Sequence, residues 1–190
     1  MQEALNGQIN AELWSAYLYL SMSLDADAEG YPGIAKWFWV QWLEEQDHAR
    51  ILQKYVIDCG AKVVLKPLLN VRTTWKSPLE MFNDALSHEM DVTRMIHGLY
   101  AAAISENDYA TQERLLWFIS EQVEEESNAR AICDLLRAAC RQNASCGEHP
   151  VKGDDGSCST AGKLAFSEFN CHLVDKELGM RCYKKASPLE

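Results

Sequence analysis

Apolar residues recur at three- and four-residue intervals along most of the first 140 positions, which is the spacing of one helical face. The pattern predicts four long helices over about residues 3–27, 31–58, 78–105 and 109–140. No helical period holds between Gly60 and Ser77, a stretch long enough to run the length of such a helix. Short, long and short connections predict an all-α four-helix bundle with a long crossover that makes helices two and three parallel.

Acidic residues interrupt the apolar faces of these helices at one level of the predicted bundle. Counting from the turns at about 1.5 Å per residue brings one position on each helix to the same height. Glu45 and His48 stand three apart and therefore share a helical face. Buried carboxylates are tolerated only when cations compensate their charge. The converging set is Glu12, Glu45, His48, Glu89, Gln122 and Glu125.

The composition of this set favours a particular metal. Oxygen ligands with one imidazole and one amide suit a non-haem di-iron site better than zinc, which prefers thiolate and imidazole ligands. Ligand type alone also admits manganese.

Charge and hydropathy exclude several functional classes. The chain of 190 residues has 28 acidic against 18 basic residues, a formal charge of −10 that disfavours nucleic acid and favours cations. No run of about 18 apolar residues exists, so we expect no membrane span. The amphipathic, acidic N-terminus does not have the pattern of a signal peptide, and the expected location is the cytoplasm.

Specific motifs extend over all four predicted helices. They are L-N-x-Q-I-N-A-E-L-W-S-A-Y-L-Y-L-S-M-S, G-I-A-K-W-F, E-E-Q-D-H-A, H-E and Y-A-T-x-x-x-L-x-W-F-I-S-E-Q-V-E-E-E. In this combination, residues 5–140 closely resemble non-haem bacterial ferritins. The resemblance implies a ferritin-like fold and a ferroxidase that oxidises Fe(II) with dioxygen or peroxide. It also implies storage of ferric mineral inside a self-associated cage, typically of twenty-four subunits.

The resemblance also implies roles for individual residues. Glu12 and His48 would bind the first iron, Glu45 would bridge both irons, and Glu89 would bind the second. Glu125 would serve the second iron or a third one, and Gln122 would contact the peroxo or water side. A more loosely held third iron would take Glu44, Glu121 and Glu124.

Two aromatic residues and one glutamine complete the comparison with the family. Tyr19 and Trp117 match aromatics beside the di-iron centre and could supply an electron, although core packing explains them equally well. Haem is not expected, because Gln46 stands where bacterioferritin-type haem binding requires methionine.

The C-terminal part, residues 141–190, is predicted to be a separate segment with loops and a short helix over about residues 170–180. That helix resembles the fifth helix of ferritins, but a longer connection than usual precedes it. Cys146 and His149, with Cys158, Cys171 and Cys182, could chelate a metal, but no Cys-x-x-Cys spacing favours zinc.

Two other functional classes stay open at this point. A discrete di-iron redox enzyme, such as a rubrerythrin-like peroxidase, ordinarily has a Cys-x-x-Cys electron donor and a more symmetric ligand set. A helical bundle without a metal would act through interactions alone. The number of iron atoms retained per subunit separates these alternatives, since only a storage cage holds more than a few.

Overall fold

A computed structural model describes residues 1–145 and 172–186, and its long helices form the expected bundle. Within these residues there are four long helices, one short helix and no β-strand. The helices are α1 (Gln2–Ala28), α2 (Pro32–Asp58), α3 (Pro78–Ser105), α4 (Tyr109–Ser145) and α5 (172–178). Helix α1 packs mainly against α2, and α3 packs mainly against α4.

Local sequence signals set the helix ends. Pro32 and Pro78 occupy the first turns of α2 and α3, where the missing N–H of proline costs nothing. The Ser77 hydroxyl accepts a hydrogen bond from the Glu80 N–H at 3.2 Å and caps α3. Gly60 follows α2 with φ +74°, a left-handed conformation that glycine adopts without strain.

The crossover between α2 and α3 is held extended along α1 by side chains of that helix. Asn6 and Asn10 each bond backbone groups of the crossover, including the N–H of Val64 at 2.6 Å and its carbonyl at 2.8 Å. Further along, Trp14 Nε1 donates to the Leu69 carbonyl at 2.9 Å. Although this stretch contains β-prone residues, it forms no strand, because its backbone partners are side chains of a helix.

Two apolar clusters fill the bundle and leave a polar layer between them. The cluster nearer the α1–α2 turn contains Tyr19, Met22, Phe38, Phe82 and Leu136. The other lies toward the opposite end and contains Ile9, Leu52, Ile96, Leu115 and Phe118. Charged side chains located between such clusters have no access to bulk water, so their protonation and partners are set by the protein.

Helix α5 packs on the first turn of α2. The Asp175 carboxylate accepts a hydrogen bond from the Ile34 N–H at 2.7 Å and caps that turn. A Cβ atom on Gly33 would lie 1.7 Å from the Asp175 carbonyl oxygen, so only glycine permits this approach. The contact of α5 with α2 therefore fixes the position of the backbone where residues 179–186 begin.

The predicted fold is confirmed, including the long crossover and the short fifth helix, and α4 continues about five residues past the predicted end. The division into domains at residue 140 stays a prediction. Cys146, His149, Cys158 and Cys171 lie outside the described residues, whereas Cys182 is an exposed free thiol. In the described part of the chain, none of the helices is sufficiently long and apolar to cross a bilayer.

Candidate metal centre

Three of the predicted ligands come together on α1 and α2. Glu12, Glu45 and His48 each offer one ligand atom, and these atoms lie within 4.8 Å of one another. All three side chains are buried, with exposures of 1–2%. Gln8, one turn before Glu12, donates a hydrogen bond from Nε2 to Glu12 Oε1 at 2.9 Å and fixes that carboxylate.

One atom of this group has no hydrogen-bond partner among residues 1–145 and 172–186. That atom is Glu45 Oε2, which is buried and accepts no hydrogen bond there. His48 Nδ1 lies 3.6 Å from this oxygen, a distance too long for a hydrogen bond. A buried carboxylate oxygen without a partner costs free energy, and a bound cation would remove that cost.

The predicted ligands on α3 and α4 lie outside the close grouping of Glu12, Glu45 and His48 and form the other half of the layer. Glu89 is 1% exposed, and Tyr19 donates a hydrogen bond from its hydroxyl to Glu89 Oε1. Gln122 Nε2 donates to Glu89 Oε2 at 3.1 Å and also lies 3.3 Å from Thr93 Oγ1. The structure thus assigns Tyr19 a direct contact with a predicted ligand.

The Glu125 carboxylate is held from α2. Gln41 Nε2 donates to Glu125 Oε2 at 2.9 Å, and both side chains are buried. Gln41 stands one turn before Glu45, so a single turn of α2 both supplies a ligand and orients another. Amide donors therefore support both halves of the layer, Gln8 from within α1 and Gln41 and Gln122 from neighbouring helices.

Burial favours the protonated form of the Glu12, Glu45 and Glu89 carboxyls by raising their pKa values. Burial, followed by the charge of Glu45, raises the pKa of Glu12 to about 8. Burial, followed by the charge of Glu125, raises the pKa of Glu89 to about 8 as well. Burial and the charge of Glu89 raise the pKa of Glu45 well above its usual range. The site therefore holds protons that entering cations would displace.

The residues predicted for a third iron lie at the edge of this layer. Glu44 and Glu121 are half-buried, and Glu124 is exposed. Burial raises the pKa of Glu44 to about 7, although the Arg181 guanidinium acts in the opposite direction. Within the described residues, the close ligand grouping comprises Glu12, Glu45 and His48 and does not include these three acids. Glu44 is instead paired with Arg181.

Sequence reasoning missed several residues that contact the ligands. Gln8 and Gln41 lie four residues before Glu12 and Glu45, and this same-face spacing was the available signal. Trp117, an aromatic that the family resemblance places beside the centre, is half-buried, and its ring meets the His48 ring edge-on at 5.5 Å. Arg181 had no signal, because nothing in the C-terminal segment indicates that it reaches the bundle.

Comparison with known proteins identifies the family. The sequence model of the ferritin-like domain family matches residues 2–139. The chain belongs to the ferritin family. A bacterial non-heme ferritin from Bacteroides fragilis strain 638R is 41% identical over 139 residues, covering 73% of this chain and 87% of the relative. One from Staphylococcus haemolyticus is 40% identical over 181 residues, covering 95% and 94%.

Solved ferritin structures agree with this assignment. An open-pore ferritin from the archaeon Archaeoglobus fulgidus superposes with a TM-score of 0.80 at 38% identity, covering 96% of this chain and 97% of that one. An engineered closed form of the same ferritin gives a TM-score of 0.78 at 39% identity, covering 97% of each chain. Membership of the ferritin family supports iron storage and self-association, and the rubrerythrin-like alternative is not favoured.

Proposed function

We propose that this ferritin oxidises Fe(II) at a di-iron centre inside each subunit and stores the ferric product in a cage of twenty-four subunits. The observation that carries the proposal is the buried, unpartnered Oε2 of Glu45 beside Glu12 and His48. Iron is the substrate and cargo of this site. The donor set fits it, since four carboxylates, an imidazole and an amide provide the oxygen and nitrogen ligands of non-haem iron.

Charge balance supports two divalent ions at one time. Four carboxylates, from Glu12, Glu45, Glu89 and Glu125, match the charge of two Fe(II) ions. Glu45 lies centrally, because it groups with Glu12 and also responds electrostatically to Glu89 and Glu125. It is therefore the proposed bridging ligand, with Glu12 and His48 on the first ion and Glu89 on the second.

The chain's own side chains keep the ligands oriented before iron arrives. Gln8 holds Glu12, and Tyr19 together with Gln122 holds Glu89. Two Fe(II) ions supply the two electrons that reduce one dioxygen to peroxide, which takes up two protons. Orientation by fixed donors places both ions within reach of a single dioxygen, which is the main contribution the protein makes.

The ligands that α4 offers the second ion are weaker than those that α1 and α2 offer the first ion. Gln122 occupies the position where a symmetric di-iron site has a second Glu-x-x-His motif. Its amide donates to Glu89 and gives no negative charge to an ion. A weakly held product suits a storage protein, which must pass ferric iron onward. Glu44, Glu121 and Glu124 are the proposed route, with Glu124 exposed at its outer end.

Aerobic loading of the purified apoprotein with excess Fe(II) tests this function. We expect a shell-sized particle that retains tens to hundreds of irons per subunit. Glu45→Gln, which preserves shape but removes the bridging charge, should slow the initial oxidation at least about tenfold. Glu113→Gln removes an exposed carboxylate of α4 and serves as the matched control. A small oligomer that stops near two irons per subunit, or equal rates in both variants, would contradict the proposal.

A further inference from the structure

Arg181, in the segment after α5, makes three contacts with α2 beside the metal centre. Its guanidinium donates hydrogen bonds to Gln41 Oε1 and to Glu44 Oε2. The same group stacks over the Trp37 ring with its central carbon 4.6 Å from the ring centroid. These acceptors and the ring fix a planar, bidentate cation in one orientation.

Arg181 also determines how Gln41 meets a predicted iron ligand. A guanidinium has only donors, so the carbonyl oxygen of the Gln41 amide must face it. The amide NH2 group must then point the other way, where it donates to Glu125 Oε2 at 2.9 Å. Arg181 therefore acts on Glu125 through one intervening side chain, as a positioning residue.

The segment carrying Arg181 is fastened on both sides of it. Before it, Lys36 Nζ donates to the Gly179 carbonyl at 2.8 Å, and Asp175 caps α2. After it, the Tyr183 hydroxyl donates a hydrogen bond to Asp47 Oδ2. Asp47 is itself buried on α2, one residue from His48. The backbone that carries Arg181 is therefore held against α2 on both sides of this residue, and the guanidinium contacts Glu44 from that anchored position.

Arg181 lies beside Glu44 at the edge of the carboxyl layer. Glu44 and Glu121 are half-buried and close enough to influence each other, and both respond to the charge of Arg181. Carboxylates in such a place need a compensating positive charge. In the described part of the chain, Arg181 is the basic side chain that forms an ion pair with Glu44.

We propose that Arg181 is a tethered cation that occupies the place of the third iron until an ion displaces it. The proposal rests on the proposed function, because it assumes that Glu44 belongs to a third iron site. While Arg181 is docked, Glu44 is neutralised and Gln41 holds Glu125 toward the two-iron layer. An ion that binds Glu44 must expel the guanidinium, which also frees Gln41 and loosens Glu125. Movement of iron from the two-iron layer through Glu44 is therefore coupled to undocking of Arg181.

Equilibrium titration of the assembled apoprotein with Co(II), which does not undergo the oxidation step, tests this arrangement by calorimetry. Wild type should bind two Co(II) ions tightly per subunit and a third weakly. In Arg181→Gln, the third Co(II) should bind at least about tenfold more tightly, because no cation competes for Glu44. The first two ions should change by less than about threefold. Arg181→Lys keeps the charge but cannot bridge both acceptors, so its gain should be smaller.

Two further variants separate this mechanism from general loosening of the segment. Lys184→Gln removes a positive charge from an exposed position three residues away and should leave all three affinities unchanged. Glu44→Gln combined with Arg181→Gln should abolish the gain, because the competed ligand is gone. Unchanged third-ion affinity in Arg181→Gln and Arg181→Lys, with two tight ions intact, would overturn the proposal but not the proposed function. Tight binding of two ions that persists in Glu45→Gln would overturn the proposed function itself.

Discussion

Replacing Glu12 by glutamine should stabilise the metal-free protein as the pH rises. The Glu12 side chain is 1% exposed and accepts a hydrogen bond from Gln8, a bond that a glutamine oxygen can also accept. The substitution therefore preserves shape and one polar contact while removing a group that can ionise. Because the folded site disfavours that ionisation, the wild-type apoprotein loses stability at a pH where the variant does not.

The magnitude follows from the difference in proton affinity between the folded and unfolded chains. In the folded chain, burial and then Glu45 raise the pKa of Glu12 from 4.5 to about 8. Between these two values the folded state binds more protons, so the free energy of unfolding falls as the pH rises. The loss from this carboxyl is about 2.5 kcal/mol between pH 5 and pH 7, and about 4 kcal/mol in total by pH 8.

Thermal unfolding of chelator-treated protein at pH 5, 6, 7 and 8 measures this effect. Glu12→Gln should match wild type within about 1 kcal/mol at pH 5 and unfold at least about 8 °C higher at pH 8. Glu3→Gln, an exposed carboxylate on the same helix, is the control and should give no such divergence. Saturating Co(II) should reverse the order, because only wild type keeps the ligand. A Glu12→Gln apoprotein no more stable than wild type at pH 8 would refute the reasoning.

Three other substitutions test separate parts of the structure. Tyr19→Phe removes the hydrogen bond to Glu89 Oε1, which favours the charged form of that carboxylate. The substitution should therefore weaken Co(II) binding about tenfold in a titration. Equal affinity in the variant and wild type would show that the bond is unimportant. Gly33→Ala places a Cβ 1.7 Å from the Asp175 carbonyl oxygen. This clash should release residues 172–186 from α2, and limited proteolysis should then cleave them faster. An unchanged rate of cleavage would show that α5 packs elsewhere. Phe118→Ala empties a site that is 1% exposed and should cost about 3–5 kcal/mol in denaturant unfolding, and a loss below about 1 kcal/mol would mean that the site is not tightly packed.

The bundle and its layer of buried carboxyl groups could be predicted from the sequence because both depend on regular helix geometry. A rise of about 1.5 Å per residue converts turn positions into heights, so Glu12, Glu45, Glu89 and Glu125 were expected at one level. The structure buries all four between two apolar clusters. Because helix geometry is regular, the height of a residue follows from its number along the helix. The prediction therefore required no knowledge of side-chain contacts.

Contacts made by irregular segments could not be predicted in the same way. The crossover follows α1 through hydrogen bonds to Asn6 and Asn10, and no periodic pattern encodes that pairing. Arg181 reaches Glu44 from 137 positions away, after α5 has docked on Gly33. Such contacts depend on the path of a non-helical segment, and residue spacing along the sequence does not determine that path.

Amide side chains around the ligands form an intermediate case. Gln8 and Gln41 each precede a predicted ligand by one turn, so their shared face could have been recognised. Which ligand each one contacts depends on the neighbouring helix, since Gln41 bonds Glu125 on α4 and not Glu45 on its own helix. The sequence therefore indicates candidates for orienting residues, and the packing of the bundle selects their partners.

Anomalous diffraction at the iron edge, from crystals of the protein soaked anaerobically in Fe(II), tests the central claim most directly. The account predicts two strong peaks within each subunit, about 3.5–4 Å apart, with Glu45 between them. Glu12 and His48 should contact one peak, and Glu89 should contact the other. A single peak in this layer, or iron located only outside the bundle, would contradict the di-iron centre.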